Sequence, residues 1–209
     1  MPRILESAFL EGPAGQIEAL HEGPDDDVAM TRAVVICHPH PLYGGTMHNK
    51  VVFRLAKAAR RAGAAVLRFN FRGVGASAGS YDEGRGEQDD CRAAISYMRE
   101  RYDSLPLLLS GFSFGSRVAL QVACADPAID RVVAVGTAVN HGDWEFLSDC
   151  VRPKHLIHGT NDEHGSRQNL ERVYAGIAEP KELTWVETSD HFFSDALDDF
   201  EAAALQALS

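Results

Sequence analysis

Positive charge is scarce in this sequence. Lysine and arginine together number 20, against 30 aspartates and glutamates, so the formal net charge is −10. Phosphate backbones are bound by clustered basic side chains, and scattered Lys and Arg in an acidic chain therefore exclude a nucleic-acid partner. The sequence also lacks the polybasic cluster that an anionic membrane attracts and any apolar run near the ~18 residues of a membrane span. We therefore expect neither nucleic acid nor a membrane as a partner.

Cysteine is also sparse, and its spacing follows no pattern. Neither a C-x-x-C pair nor a disulfide framework connects the four cysteines, which are Cys37, Cys91, Cys124 and Cys150. Three of them stand in apolar or helical surroundings, which predicts buried free thiols. Charged residues interrupt the first six positions before an apolar segment forms, so we expect no signal peptide. Both features predict a cytoplasmic protein.

The most informative stretch of the chain is Leu107–Gly115. It reads Leu-Leu-Leu-Ser-Gly-Phe-Ser-Phe-Gly, and a helix-like segment follows it. A buried strand, then G-x-S-x-G, then a helix is the pattern of a nucleophile elbow. Ser113 would occupy a turn so tight that glycine is needed two positions away on either side, and its hydroxyl would project above the sheet. The alternative is an ordinary strand-to-helix turn that contains a serine by chance.

Short apolar runs alternate with segments of helical periodicity along the chain. The run before Gly111 is one predicted strand, and the others are Ser7–Glu11, Gln16–Glu22, Ala33–Cys37, Ala65–Phe71, Arg131–Val139, His155–Gly159 and Glu182–Thr188. Helices are predicted around 52–59, with Gly63 as the stop, and at Glu87–Tyr102, Ser116–Ala123, Ser166–Ile177 and Ser194–Leu208. This alternation predicts an α/β fold with a mostly parallel sheet, helices on both faces and a single domain over residues 1–209.

A glycine-rich loop after the fourth predicted strand resembles a dinucleotide-binding turn only superficially. Gly73, Gly75 and Gly79 give the spacing G-x-G-x-x-x-G, which is one residue too long. An acidic loop follows instead of the helix N-terminus that a pyrophosphate needs. We therefore expect no cofactor, and a close-packed strand exit is the better interpretation.

A nucleophilic serine requires a base, and the base requires a carboxylate that orients it. After a G-x-S-x-G elbow the chain order is Ser, then Asp or Glu, then His. His191 fits the base because it lies between the strand Glu182–Thr188 and the last helix. Asp162 fits the acid because it follows the strand His155–Gly159, and Asp143, after the preceding strand, is the alternative.

The loop His38–Gly45 is a candidate for oxyanion binding. In a serine hydrolase the second N–H donor comes from the loop after an early strand. Pro39 and Pro41 have no N–H, and we choose the N–H of His40 together with that of Phe114, just after the nucleophile. The alternative is that this loop only forms a rigid turn, which is compatible with the first interpretation.

Four segments stand in a characteristic order: HPHPLYGGTM at 38–47, FNFRGVGAS at 69–77, GFSFG at 111–115 and DHFF at 190–193. Together they resemble the small α/β-hydrolase superfamily proteins related to dienelactone hydrolase, over nearly the whole chain. The resemblance implies an eight-strand sheet whose first strands are antiparallel, a triad of Ser113, Asp162 and His191, and an esterase-like activity. Such proteins often carry Val-Pro just after the acid. Here Glu163-His164-Gly165 follows, so we expect a different shape for the acid loop.

These residues predict a serine esterase that acts through an acyl-serine on a small-molecule ester or thioester, without a metal or an organic cofactor. Only about fifteen residues, Asn140–Lys154, occupy the place where a cap is usually inserted, which predicts an open site without a lid. The alternatives are a thioesterase or peptidase with the same triad, and a non-catalytic binding scaffold. The sequence does not determine the oligomeric state.

Overall fold

Eight strands form one sheet in the computed structural model, which describes residues 4–209. The strands are β1 (Leu5–Gly12), β2 (Gly15–Glu22), β3 (Arg32–Cys37), β4 (Ala64–Phe69), β5 (Leu107–Phe112), β6 (Arg131–Val135), β7 (Lys154–Gly159) and β8 (Lys181–Val186). Their spatial order is β1-β2-β4-β3-β5-β6-β7-β8. β2 pairs antiparallel with β1 and β4, and the remaining pairs are parallel. The predicted α/β class and mostly parallel sheet are confirmed.

Helices cover both faces of the sheet. They are α1 (Lys50–Arg61), α2 (Arg85–Arg101), α3 (Phe114–Ala125), α4 (Arg167–Gly176) and α5 (Leu197–Leu208). Alternate residues of a strand face opposite sides, so Val34 packs in the cluster with α1 and α5, whereas Val35 packs in the cluster with α2, α3 and α4. Burial on both faces explains why the central strands are continuous apolar runs instead of alternating ones.

The two largest errors in predicted boundaries lie beside residues with left-handed backbone. β6 ends at Val135 instead of Val139 because Gly136, with φ of 52°, turns the chain out of the sheet. α5 begins at Leu197 instead of Ser194, after a turn that starts at Phe193, with φ of 54°, and in which the Ala196 N–H donates to the Phe193 carbonyl over 3.0 Å. Both breaks lie at the carboxyl-terminal edge of the parallel strands, where the chain leaves the sheet.

The prediction of free cysteines was wrong for two of the four. Cys124 and Cys150 form a disulfide whose Cα atoms lie 5.1 Å apart, whereas Cys37 and Cys91 are free and buried as predicted. The segment between β6 and β7 folds back on the end of α3, and this brings together two cysteines whose spacing in the sequence follows no framework. Linear spacing carries no information about that contact.

The segment between β6 and β7 is short and contains one 3₁₀ turn, Glu145–Leu147. Within residues 4–209 no cap domain covers the carboxyl-terminal edge of the sheet, as predicted. In the same part of the chain, no helix combines the length and apolar character that crossing a bilayer requires.

Candidate active site

Ser113 occupies the sharp turn between β5 and α3. Its backbone angles are φ 57° and ψ −119°, in a region that costs a non-glycine residue about 1–3 kcal/mol. Glycine is required on both sides. A Cβ on Gly111 would lie 2.3 Å from the Gly115 carbonyl oxygen, and a Cβ on Gly115 would lie 2.4 Å from the carbonyl oxygens of Cys37 and His38. The crowded backbone therefore holds the serine in its strained conformation.

His191 and Asp162 lie together at the same edge of the sheet, after β8 and β7. The His191 Nδ1–H donates to Asp162 Oδ2 over 2.7 Å, and both side chains are buried. The other carboxylate oxygen accepts the backbone N–H groups of His164 at 2.8 Å and Gly165 at 3.1 Å. Burial favours a higher pKa for Asp162, but the hydrogen bond and charge interaction with His191 hold the pKa below its ordinary value. An ionised Asp162 fixes the proton on Nδ1 and leaves Nε2 of His191 as a proton acceptor.

The alternative acids have other partners. Asp143 is exposed, and its Oδ1 accepts the Glu145 N–H over 2.8 Å. Asp190, adjacent to the histidine, accepts the N–H groups of Phe192 and Ser194 at 2.9 and 3.0 Å. Of the two acids considered from the sequence, Asp162 is the one that contacts His191.

One cavity of about 870 Å³ joins the predicted site residues. Ser113, His191, His40 and Phe114 all line it. Ser113 and His191 both line the cavity. Among the described residues, however, no hydrogen bond joins Ser113 Oγ to His191, whose Nδ1 is bonded to Asp162. Such a contact is often long without substrate and tightens when substrate binds. The arrangement therefore brings a serine hydroxyl and an oriented imidazole to one solvent-accessible site.

The backbone N–H groups of His40 and Phe114 lie at this cavity, and neither has a protein acceptor within the described residues. Leu42 and Tyr43, the other two donors near the end of the strand, are occupied. The Leu42 N–H donates to His40 Nδ1 over 3.2 Å, and the Tyr43 N–H donates to the His40 carbonyl over 3.1 Å. His40 and Phe114 are therefore available to bind an oxyanion, and their rings lie 4.9 Å apart.

Sequence reasoning did not assign the side chains that fix these loops. His38 is buried, donates from Nδ1 to the Pro39 carbonyl over 2.6 Å and accepts the Phe71 N–H at Nε2 over 3.0 Å. Burial lowers the pKa of His38 to about 4, so the ring is neutral and can accept that N–H. Its place in the His-Pro-His triplet was the signal that could have identified it.

The acid loop has comparable supports. The His158 Nε2–H donates to the Gly165 carbonyl over 2.6 Å and lies 3.5 Å from Asp162 Oδ2. Glu163 Oε2 accepts the backbone N–H of His191 over 3.0 Å. Glu163 is one of the residues that replace the expected Val-Pro pair, and it links the acid loop to the histidine loop. No group of three or more His, Cys, Asp or Glu suited to a metal ion occurs in residues 4–209.

The fold and this edge of the sheet define an α/β hydrolase without a lid. The sequence profile of the serine aminopeptidase S33 family matches residues 29–152, and the chain belongs to this family of α/β serine hydrolases. It is similar to XC6422 from Xanthomonas campestris, an α/β serine hydrolase without a lid. The two are 35% identical with a TM-score of 0.91, and the match covers 99% of this chain and 94% of XC6422.

Two further proteins are similar over almost the whole chain. An α/β serine hydrolase homologue from Coxiella burnetii is 33% identical with a TM-score of 0.92, over 98% of this chain and 97% of that structure. The uncharacterized protein RP471 of Rickettsia prowazekii is 33% identical over 97% of this chain and 87% of its own length.

Proposed function

We propose that this protein cleaves carboxylic esters through an acyl-serine intermediate, with Ser113, His191 and Asp162 as its triad. The observation that supports this most directly is the shared cavity wall: Ser113, on a strained turn, lies beside a histidine that is hydrogen-bonded to a buried carboxylate. The resemblance to proteins related to dienelactone hydrolase, inferred from the HPHPLYGG segment of the sequence, implies the same kind of activity. The substrate is a small-molecule ester or thioester.

In the first half-reaction, Ser113 Oγ attacks the carbonyl carbon while His191 Nε2 accepts its proton. The C–O π electrons move to the carbonyl oxygen, which becomes an oxyanion and accepts hydrogen bonds from the N–H groups of His40 and Phe114. Asp162 stabilises the imidazolium that forms. When the tetrahedral intermediate collapses, the bond to the alcohol or thiol breaks, and His191 returns the proton to this leaving group.

In the second half-reaction, His191 accepts a proton from water as the water oxygen attacks the acyl-serine. The tetrahedral intermediate forms at the same two N–H groups, and its collapse releases the acid and returns the proton to Ser113. His191 carries every proton of this sequence between Ser113, the leaving group and water, so the reaction requires no cofactor.

A peptidase is the second candidate, because the family takes its name from a serine aminopeptidase. An aminopeptidase must hold the ammonium group of its substrate, and a carboxylate is the usual partner for such a group. Glu83 lines the cavity but lies 3.6 Å from Arg85. The charge of the cavity therefore favours an ester substrate over a peptide with a free amino terminus. Hydrolysis of amino-acid p-nitroanilides by the purified protein would instead make a peptidase the first candidate.

A cytoplasmic location remains a prediction from the sequence. The Cys124–Cys150 disulfide counts against it, because the cytoplasm keeps most thiols reduced. Trapping thiols at the moment of cell lysis, followed by mass spectrometry of the peptide pair, measures whether this disulfide exists in the cell.

The proposed activity is tested with p-nitrophenyl acetate, butyrate and octanoate. We expect the Ser113→Ala variant to lose about 10⁴-fold or more in kcat, because the triad acts as a unit. Ser96→Ala, at an exposed position on α2, is the matched control and should retain wild-type rates. A fluorophosphonate probe should label Ser113 in the wild type. Equal hydrolysis by wild type and Ser113→Ala, without labelling, would instead favour the binding-scaffold alternative.

A further inference from the structure

Arg117 is a cation in the wall of the cavity that contains Ser113. It lies on α3, four residues after the serine, and its guanidinium carbon is 4.9 Å from the centre of the Trp144 ring. The guanidinium also occupies the space that a side chain at position 142 would need, since a Cβ on Gly142 would be 1.9 Å from Nη1. Arg117 is therefore held in a fitted site between α3 and the segment that follows β6.

This fitted arginine has no carboxylate partner. Within the described residues Arg117 forms no ion pair with a carboxylate, and its protein hydrogen bond, to the His141 carbonyl, is long at 3.5 Å. Burial lowers the pKa of Arg117, and the nearby charge of Asp143 opposes that shift only in part. The second arginine of the cavity, Arg85, differs because it lies 3.2 Å from Asp82 and 3.6 Å from Glu83.

Two features of this arrangement oppose the stability of the fold. A guanidinium that is partly removed from water without a paired charge is unfavourable. A cation close to the N-terminus of a helix, where Arg117 lies, is opposed by the helix dipole. Groups that oppose stability in this way are characteristic of functional sites, where a ligand supplies the missing partner.

We propose that Arg117 binds a carboxylate of the substrate, so that the preferred substrates are esters or thioesters that carry a negative charge near the scissile carbonyl. This inference rests on the proposed function, since it assigns the substrate class of the same site. Arginine binds a planar carboxylate with two parallel N–H donors. Four helical residues advance about 6 Å along the axis, and Ser113 and Arg117 line the same cavity, so one small substrate can contact both.

The carboxylate can belong to the acyl part or to the alcohol part of the ester, and two substrate pairs distinguish these sources. For the acyl part, mono-4-nitrophenyl glutarate is compared with 4-nitrophenyl pentanoate, which has the same chain length and no charge. For the alcohol part, 4-acetoxybenzoate is compared with its neutral methyl ester. Each enzymatic kcat/KM is divided by the rate constant of hydroxide-catalysed hydrolysis, which corrects for intrinsic reactivity.

In at least one pair we expect the wild type to prefer the anionic ester. Arg117→Gln should lower kcat/KM for that ester by about 10- to 100-fold and change the neutral ester by less than about twofold, as expected for the loss of a charged hydrogen bond. Arg117→Lys, which keeps the charge without the planar fork, should retain part of the preference. Addition of 0.5 M NaCl should reduce the preference of the wild type, because salt screens charge interactions.

Arg172→Gln is the matched control, because it removes one positive charge at an exposed position on α4. It should leave the ratio of anionic to neutral rates unchanged. Thermal unfolding shows whether each variant is folded. If Arg117→Gln is not folded, the loss of preference for the anionic ester is measured with Arg117→Lys.

The two proposals fail in different ways. If the wild type hydrolyses none of the four esters and a fluorophosphonate does not label Ser113, the proposed function is wrong, and this inference fails with it. If the wild type hydrolyses the neutral esters but Arg117→Gln alters anionic and neutral rates by the same factor, only the role of Arg117 is overturned.

Discussion

At the scale of single residues, Gly115 couples the turn at Ser113 to the loop that carries His40, the proposed oxyanion donor. Its Cα faces the carbonyl oxygens of Cys37 and His38, which would lie 2.4 Å from an added Cβ. Both contacts are with backbone, so no side-chain rotation can relieve them. In Gly115→Ala the loop that begins at His38 must move, and the N–H of His40 moves with it.

We expect Gly115→Ala to lower the free energy of unfolding by about 1–3 kcal/mol, the usual range for overpacking. Its kcat/KM on p-nitrophenyl butyrate should fall by about 10²-fold, in line with the loss of one oxyanion donor. Urea unfolding and steady-state kinetics measure the two effects.

Gly176→Ala is the control for this substitution. No atom lies within 4 Å of a Cβ added at Gly176, the last residue of α4. Alanine there should leave activity unchanged and either preserve stability or increase it by up to about 1 kcal/mol. A Gly115→Ala protein as stable and active as this control would show that the close contact does not position the loop.

The positions of Ser113, Asp162 and His191 could be predicted because they depend on topology. Each follows a parallel strand, and the carboxyl ends of such strands meet at one edge of the sheet. The contacts of His38 and Glu163 could not be predicted in the same way. They depend on the conformation of irregular loops, which no periodic pattern specifies.

At the scale of secondary-structure elements, Glu201 connects α5 to α1. Its carboxylate lies 2.8 Å from Arg54, 2.9 Å from Lys57 and 2.8 Å from Arg61. Burial favours a higher pKa, but hydrogen bonds and charge interactions with these cations lower the pKa of Glu201 from 4.5 to about 2. Because the pKa is lower in the folded state, the stabilisation is present above pH 4.5 and is lost as the pH falls towards 2.

We expect Glu201→Gln to lower the free energy of unfolding by about 1–2 kcal/mol at pH 7, a value reduced for the solvent exposure of the three cations. The difference from wild type should shrink below about pH 4, because the wild-type carboxylate then begins to take up a proton in the unfolded chain. Urea midpoints at pH 7, 5, 4 and 3 measure it.

Glu171→Gln offers a matched comparison. Glu171 pairs with Arg167 at 3.0 Å on α4, but both side chains are exposed. Loss of this ion pair should lower the free energy of unfolding by less than about 0.5 kcal/mol at any pH. A difference for Glu201→Gln that stayed constant between pH 7 and pH 3 would mean that packing, and not the charge network, joins the two helices.

The Cys124–Cys150 disulfide connects the end of α3 to the segment before β7, across 26 positions. For a closed loop of this size, its loss should lower the free energy of unfolding by about 3 kcal/mol. We therefore expect a Cys124→Ser, Cys150→Ser double variant to unfold at lower urea concentration than the oxidised wild type. Dithiothreitol should destabilise the wild type to the level of the variant and leave the variant itself unchanged. A wild type insensitive to reductant would contradict this prediction.

At the scale of the whole molecule, the open site determines how much of a substrate leaves water. Tyr43 lines the cavity but remains 86% exposed, and Phe192, also in the lining, is 38% exposed. A long acyl chain in this cavity therefore keeps contact with solvent along part of its length. Complete burial of a methylene would stabilise binding by about 0.8 kcal/mol, or about fourfold.

We accordingly expect kcat/KM to change by less than about twofold per methylene from p-nitrophenyl acetate to octanoate. The measurement is a series of steady-state assays below the critical micelle concentration of the longer esters. A steady fourfold increase per methylene would indicate a closed acyl tunnel and would contradict the open site.

The α/β fold as a whole could be predicted because strand and helix alternation restricts the possible topologies to a few. The outer wall of the cavity could not be predicted from the sequence. It includes Arg117 and Trp144, which meet because the segment after β6 returns to α3 and is joined to it through Cys150. That return is a tertiary contact without a local signal in the sequence.

The contact between Gly115 and the loop at His38 also distinguishes a part of the molecule that tolerates few substitutions from one that tolerates more. The turn at Ser113 and the loop at His38 share backbone contacts, so substitutions in either disturb both. The segment 140–150 touches the substrate cavity but lies outside those contacts, and its far end is secured to α3. For directed evolution this segment is the place to randomise: libraries at His141 and Trp144 vary the cavity wall without changing the contact between Gly115 and the loop at His38.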